Sequence, residues 1–133
     1  LSATGGKYYI AAMNKIYHLS SCTTCQRIIR ETGIGASDEK GGFVMQDIKT
    51  EKITPDQLEA LRDKAGSYEA LFSRRALKYK ELGLKDKQLG ESDYRSLILG
   101  DYTFLKRPVV LIGEAILIGS EKKTVGELKT LIH

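Results

Sequence analysis

The chain has 133 residues, 41% of them hydrophobic and 29% charged, with a formal charge of +4. That length suffices for one core without disulfides or metal, and nothing approaches the roughly eighteen consecutive apolar residues of a membrane span. The charge permits an anionic partner, but most lysines fall at helical spacing between apolar positions, which is also the pattern of a solvated face.

Residues 1–12 read as an N-terminal extension of uncertain order, because Met13 immediately precedes a good strand. The stretch lacks a basic segment followed by a long apolar run, so a secretory signal is not expected and a cytoplasmic, reducing setting is. There a CxxC reads as redox-active or metal-binding and not as a structural bridge. Residues 13–133 read as a single domain.

"MNKIYHL", 13–19, is rich in strand formers. "CTTCQRIIRETG" then reads as a helix with Ile28 and Ile29 on its apolar side and Gly33 as its stop. A loop over 33–42 leads to a second strand, "FVMQDI", 43–48. A helical insertion of about 54–100 follows. It opens on Thr54, Pro55 and Gln57, a capping box, with Leu58 and Leu61 on one face and Gly66 at the end. "SRRALKYKELG", 73–83, predicts a helix capped by Ser73 with a stripe of Ala76, Tyr79 and Leu82; "ESDYRSLIL", 91–99, predicts another.

The period then changes. "RPVVLIG" and "AILIG" predict a β-hairpin turning at Gly113 and Glu114, buried on both faces. "TVGELKTLI" predicts a last helix with Thr124 and Glu127 as capping box and Val125, Leu128, Leu131 and Ile132 on one side. The order is β-α-β, helices, β-β-α. That is an α/β fold in which both halves share one sheet, with the first two strands parallel.

Cys22 and Cys25 are the two cysteines of the chain. With Cys22 at the first helical position, its thiol meets outward N–H groups and the positive end of the macrodipole, which favour thiolate. Cys25 lies three residues on, at a Cα separation of about 5 Å, within disulfide range. One thiol attacks and the other resolves. The N–H groups from Ser21 to Cys25, Thr23 and Thr24 included, also make an anion cradle. Two other readings stand beside this one. A zinc site would draw on Cys22, Cys25, His18 and His133, and two inert core cysteines would draw on burial alone. His18 reads either as a hydrogen-bonded histidine at a strand end or as support for the Cys22 thiolate.

"IYHLSSCTTCQRII", "SRRALKYKELGL" and "FLKRPVVLIG", in that order, resemble the arsenate reductase-like (ArsC-type) family, which includes the Spx regulators. The resemblance covers about residues 13–133 and implies a thioredoxin-like fold with an inserted helical subdomain. It implies Cys22 as nucleophile and His18 as its supporting histidine. It also implies Arg75, or Arg74 by one register, and Arg107 as oxyanion-binding residues, with Pro108 in the cis form. Classical arsenate reductases carry a third arginine after the last strand pair; here "GEAILIGSEKK" offers Lys122 and Lys123. The glutaredoxin-linked enzymes lack a cysteine at the position of Cys25, which Spx-type members have.

By that likeness the chain is expected to be a cytoplasmic thiol-dependent oxidoreductase acting on a small oxyanion or oxidised thiol. It would hold no bound cofactor and take electrons from glutathione and glutaredoxin or from thioredoxin. The alternative is an Spx-like regulator that binds RNA polymerase through a Cys22–Cys25 disulfide switch. A scaffold that has lost the chemistry is a third reading. Neither a membrane nor direct nucleic-acid binding is expected.

Overall fold

A computed structural model describes residues 14–34 and 43–132. The expected extension 1–12, most of the expected loop 33–42, and His133 lie outside the described residues. In chain order the elements are β1 (Lys15–His18), α1 (Thr23–Thr32), β2 (Val44–Asp47), α2 (Pro55–Ala65), α3 (Leu77–Glu81), α4 (Glu91–Gly100), β3 (Val109–Ile112), β4 (Ala115–Ile118) and α5 (Lys122–Ile132). Short 3-10 turns occupy Glu69–Leu71, Leu84–Asp86 and Tyr102–Phe104. No helix among the described residues is long and apolar enough to cross a membrane.

The chain forms two compact units, Leu1–Asp47 with Arg107–His133, and Ile48–Lys106. The first is built on a four-stranded mixed sheet in the order β2-β1-β3-β4. β1 pairs with β2 in parallel and with β3 antiparallel, and β3 pairs with β4 antiparallel. One sheet face carries Ile16, Val110 and Leu117, which pack with Ile28 of α1 and Val125 and Leu128 of α5 into one buried cluster. Full burial of each such side chain contributes about 1.5–3 kcal/mol. Gly33 ends α1 at φ 78°, a left-handed conformation costly for a residue with a Cβ, and its N–H bonds Ile29 O. Gly113 begins the two-residue hairpin loop at φ 57°.

In the second unit, Thr54 accepts from Gln57 N and Gln57 Oε1 accepts from Thr54 N, closing the capping box read from the sequence. Phe72 is fully buried against Phe104 (ring centroids 5.2 Å), Tyr94 (4.8 Å) and Tyr79 (6.0 Å). Phe72 and Leu105 form an antiparallel bridge, with Ser73 N donating to Phe104 O and Lys106 N to Leu71 O. Glu91 at the start of α4 accepts from Tyr68 N (2.7 Å) and Glu69 N (3.0 Å), tying the 3-10 turn at Glu69–Leu71 to α4.

Four expectations require correction. The helix expected over 73–83 is confined to Leu77–Glu81, because Ser73 is held by Phe104 O and its hydroxyl accepts from Arg75 N in a local turn. Ala76, not Ser73, is its N-cap, and Leu82 is half exposed, so the expected stripe is not an apolar seam. The last helix begins at Lys122, which places Thr124 inside it and not at a cap. Cys22 is the N-cap of α1, one residue before the first helical position. The hairpin strands are only partly covered: Val109, Val110 and Leu117 are buried, while Leu111, Ile112, Ile116 and Ile118 keep some exposure.

Candidate functional site

Strand β1 ends at His18 and the chain turns through Leu19, Ser20, Ser21 and Cys22, closed by Cys22 N donating to Leu19 O at 3.0 Å. Cys22 is extended (φ −90°, ψ 113°) and its carbonyl accepts Gln26 N at 3.0 Å, so its side chain stands at the open N-terminal end of α1. Helix N-caps usually accept an N–H bond through a side-chain oxygen; Cys22 carries a sulfur there and makes no side-chain cap bond. Cys22 is partly exposed, Cys25 is buried, and both are free thiols.

The two thiols are pulled apart in acidity. Burial pushes the Cys22 thiol up, but the Cys25 N–H, the Cys25 thiol, the Thr24 N–H and the charge of Arg107 together outweigh it, and the group lies below its ordinary value. Burial pushes Cys25 up to about 11, and the neighbouring Cys22 charge adds to that despite the opposing Leu19 backbone bond and Arg107. One thiol is thereby prepared to ionise while its neighbour keeps its proton and donates it.

His18 and Asp47 are partners in the parallel register, at the ends of adjacent strands. Burial lowers the His18 pKa and the Asp47 carboxylate raises it, with burial the larger effect. Nδ1 of His18 is buried and lacks a hydrogen-bond partner among the described residues. Asp47 Oδ1 also accepts from Ser20 N at 3.4 Å.

His18, Cys22, Thr23, Thr24, Cys25, Arg107 and Pro108 all belong to the first unit. The Arg107–Pro108 peptide is cis, and Arg107 acts on both thiols. The N–H groups of Thr24 and Cys25 favour the charged form of Cys22, although its side chain makes no cap hydrogen bond, and Thr23 is exposed beside them. Arg74 and Arg75 belong to the second unit and precede α3 instead of lying on it. Arg74 is committed to Glu69 (2.8 Å) and the Tyr94 hydroxyl (3.1 Å), whereas Arg75 is exposed and no ion pair holds it among the described residues. Among the described residues no group of three or more His, Cys, Asp or Glu could hold a metal ion. The sequence reading missed Asp47 and Gln26; the visible signals were an acid at the end of the strand beside β1 and a glutamine one helical turn after Cys22.

A mixed sheet with a parallel βαβ half and an antiparallel ββα half, and a CxxC pair at the strand-to-helix junction, define a thioredoxin-like α/β protein. The chain belongs to the ArsC family, whose model matches residues 17–128. An ArsC family related protein from Bacteroides fragilis superposes with a TM-score of 0.70 at 21% identity, over 89% of this chain and 98% of that one. An arsenate reductase from Vibrio cholerae does so with a TM-score of 0.69 at 19% identity, over 86% and 96%. A Staphylococcus aureus COL protein solved by NMR has a TM-score of 0.66 at 28% identity, over 86% and 97%. The uncharacterised protein YusI of Bacillus subtilis is 28% identical over 77% of this chain and 86% of its own length.

Proposed function

We propose that this protein is a thiol-dependent oxidoreductase in which Cys22 is the nucleophile and Cys25 the resolving thiol. One observation carries the reading: the thiol at the helix tip is lowered in pKa while the thiol that hydrogen-bonds it is pushed up to about 11. A low-pKa, accessible sulfur attacks at neutral pH, and a protonated neighbour waits to displace it.

With an oxidised thiol as substrate, the Cys22 thiolate attacks one sulfur and the substrate S–S bond breaks, its far sulfur leaving as a thiolate that takes a proton from water. Cys25 gives up its proton and attacks Cys22, releasing the second substrate thiol and closing a Cys22–Cys25 disulfide. With an oxyanion, the Cys22 sulfur displaces one oxygen as water. Attack on that sulfur by Cys25 or glutathione then leaves two electrons on the central atom. Glutathione with glutaredoxin, or thioredoxin, returns the protein to the dithiol state.

The N–H groups of Thr23, Thr24 and Cys25 and the Arg107 guanidinium supply the anion-holding charge, since a guanidinium fork suits tetrahedral oxyanions. Arg75 is retained as an oxyanion-binding residue, and His18 as a supporting one, on the family likeness. The test is a coupled assay with arsenate and with a mixed disulfide, supplied in turn with glutathione–glutaredoxin and thioredoxin systems. Cys22→Ser is expected to abolish turnover with every substrate and donor; full turnover by that variant removes the reading.

A further inference from the structure

The turn that delivers Cys22 is gripped from both sides. Ser20 N donates to the Asp47 carboxylate at the end of β2. Ser20 O accepts from the Gln26 side-chain amide on α1. Ser20 is exposed, so water could satisfy both of these backbone groups, yet two side chains from different elements converge on the one residue. Gln26 is itself the residue whose N–H bonds the Cys22 carbonyl, so its main chain holds the N-cap while its side chain holds the turn before it. The Leu19–Cys22 turn is thereby tied to the sheet by an acid and to the helix by an amide.

We propose that Asp47 and Gln26 are positioning residues that clamp Ser20 and so hold Cys22 in its N-cap place at the tip of α1. Neither side chain touches a reacting atom in this scheme. Their effect passes through the backbone of Ser20, whose rotation would swing Cys22 off the helix tip, where the positive end of the helix favours its thiolate. The inference rests on Cys22 being the nucleophile, but its readout is the acidity of that thiol and needs no substrate.

The experiment follows the iodoacetamide alkylation rate of Cys22 against pH, in a Cys25→Ser background, for Asp47→Ala, Gln26→Ala and Asp47→Asn. Asparagine keeps an oxygen acceptor for Ser20 N and removes the charge, so it separates the contact from the field that Asp47 also exerts on His18. The alkylation midpoint is expected to rise by about half a pKa unit in Asp47→Ala and in Gln26→Ala, and by less than the sum when both are combined. Asp47→Asn is expected to keep the midpoint of the background protein. The proposal is overturned if Asp47→Ala and Gln26→Ala leave the midpoint in place while lowering only thermal stability, or if Asp47→Asn moves it as far as Asp47→Ala does. Should Asp47→Ala fail to fold, Gln26→Ala, a change on an exposed helical face, decides by itself: an unmoved midpoint overturns the clamp and a raised one supports it.

Discussion

Cys25 acts on the acidity of Cys22 while both are free thiols. Its thiol and its backbone N–H both favour the charged form of the neighbouring sulfur. Replacing Cys25 with alanine keeps the N–H and removes the thiol, so the Cys22 pKa is expected to rise by roughly half a unit to one unit. Alkylation rate against pH measures this directly, because the variant has a single cysteine. His18 offers a second test. Its folded pKa lies below the ordinary 6.5, mainly through burial. Between those two values the unfolded chain binds more protons than the folded one, so the associated stability is complete above about pH 6.5 and is lost as pH falls through the folded value. Urea unfolding between pH 5 and 8 is expected to show wild type losing stability toward acid relative to His18→Gln, by an amount reduced by the attraction of Asp47.

At the scale of elements, local caps decided where some helices begin and long-range bonds decided others. The Thr54–Gln57 box is satisfied within four residues, which is why it was readable and why α2 starts where expected. Thr54→Ala is expected to cost about 1 kcal/mol, seen as a lower urea midpoint with an unchanged slope. The Thr124–Glu127 box looked the same on paper, yet α5 starts at Lys122, with Val125 N already bonded to Glu121 O. The segment 73–83 went the other way. Ser73 is bonded to Phe104 O beside the Phe72–Leu105 bridge and its hydroxyl accepts from Arg75 N, so helical spacing at the start of the segment was overruled by pairing with a distant strand-like segment.

At the scale of the molecule, each unit has its own apolar centre: Ile16, Ile28, Val110, Leu117, Val125 and Leu128 in one, and Phe72 with Phe104 and its tyrosine neighbours in the other. In the second, Phe72 is fully buried and packed against three aromatic rings. Phe72→Ala is expected to lower stability by about 3–5 kcal/mol in thermal or urea unfolding, and Phe72→Leu by less, because leucine fills most of the volume left behind.

The order β-α-β, helices, β-β-α, the hairpin turn at Gly113 and the CxxC at the end of the first strand were all determined by the sequence on its own. The glycine stops and the Thr54–Gln57 capping box are closed within short segments, which is why they could be read along the chain. The opposite shifts in acidity of the two thiols were decided only by the tertiary structure. Burial of Cys25 and the reach of Arg107 from a distant strand end depend on which parts of the chain meet, and Coulomb forces and hydrogen bonds respond to distance in space and not to distance along the chain.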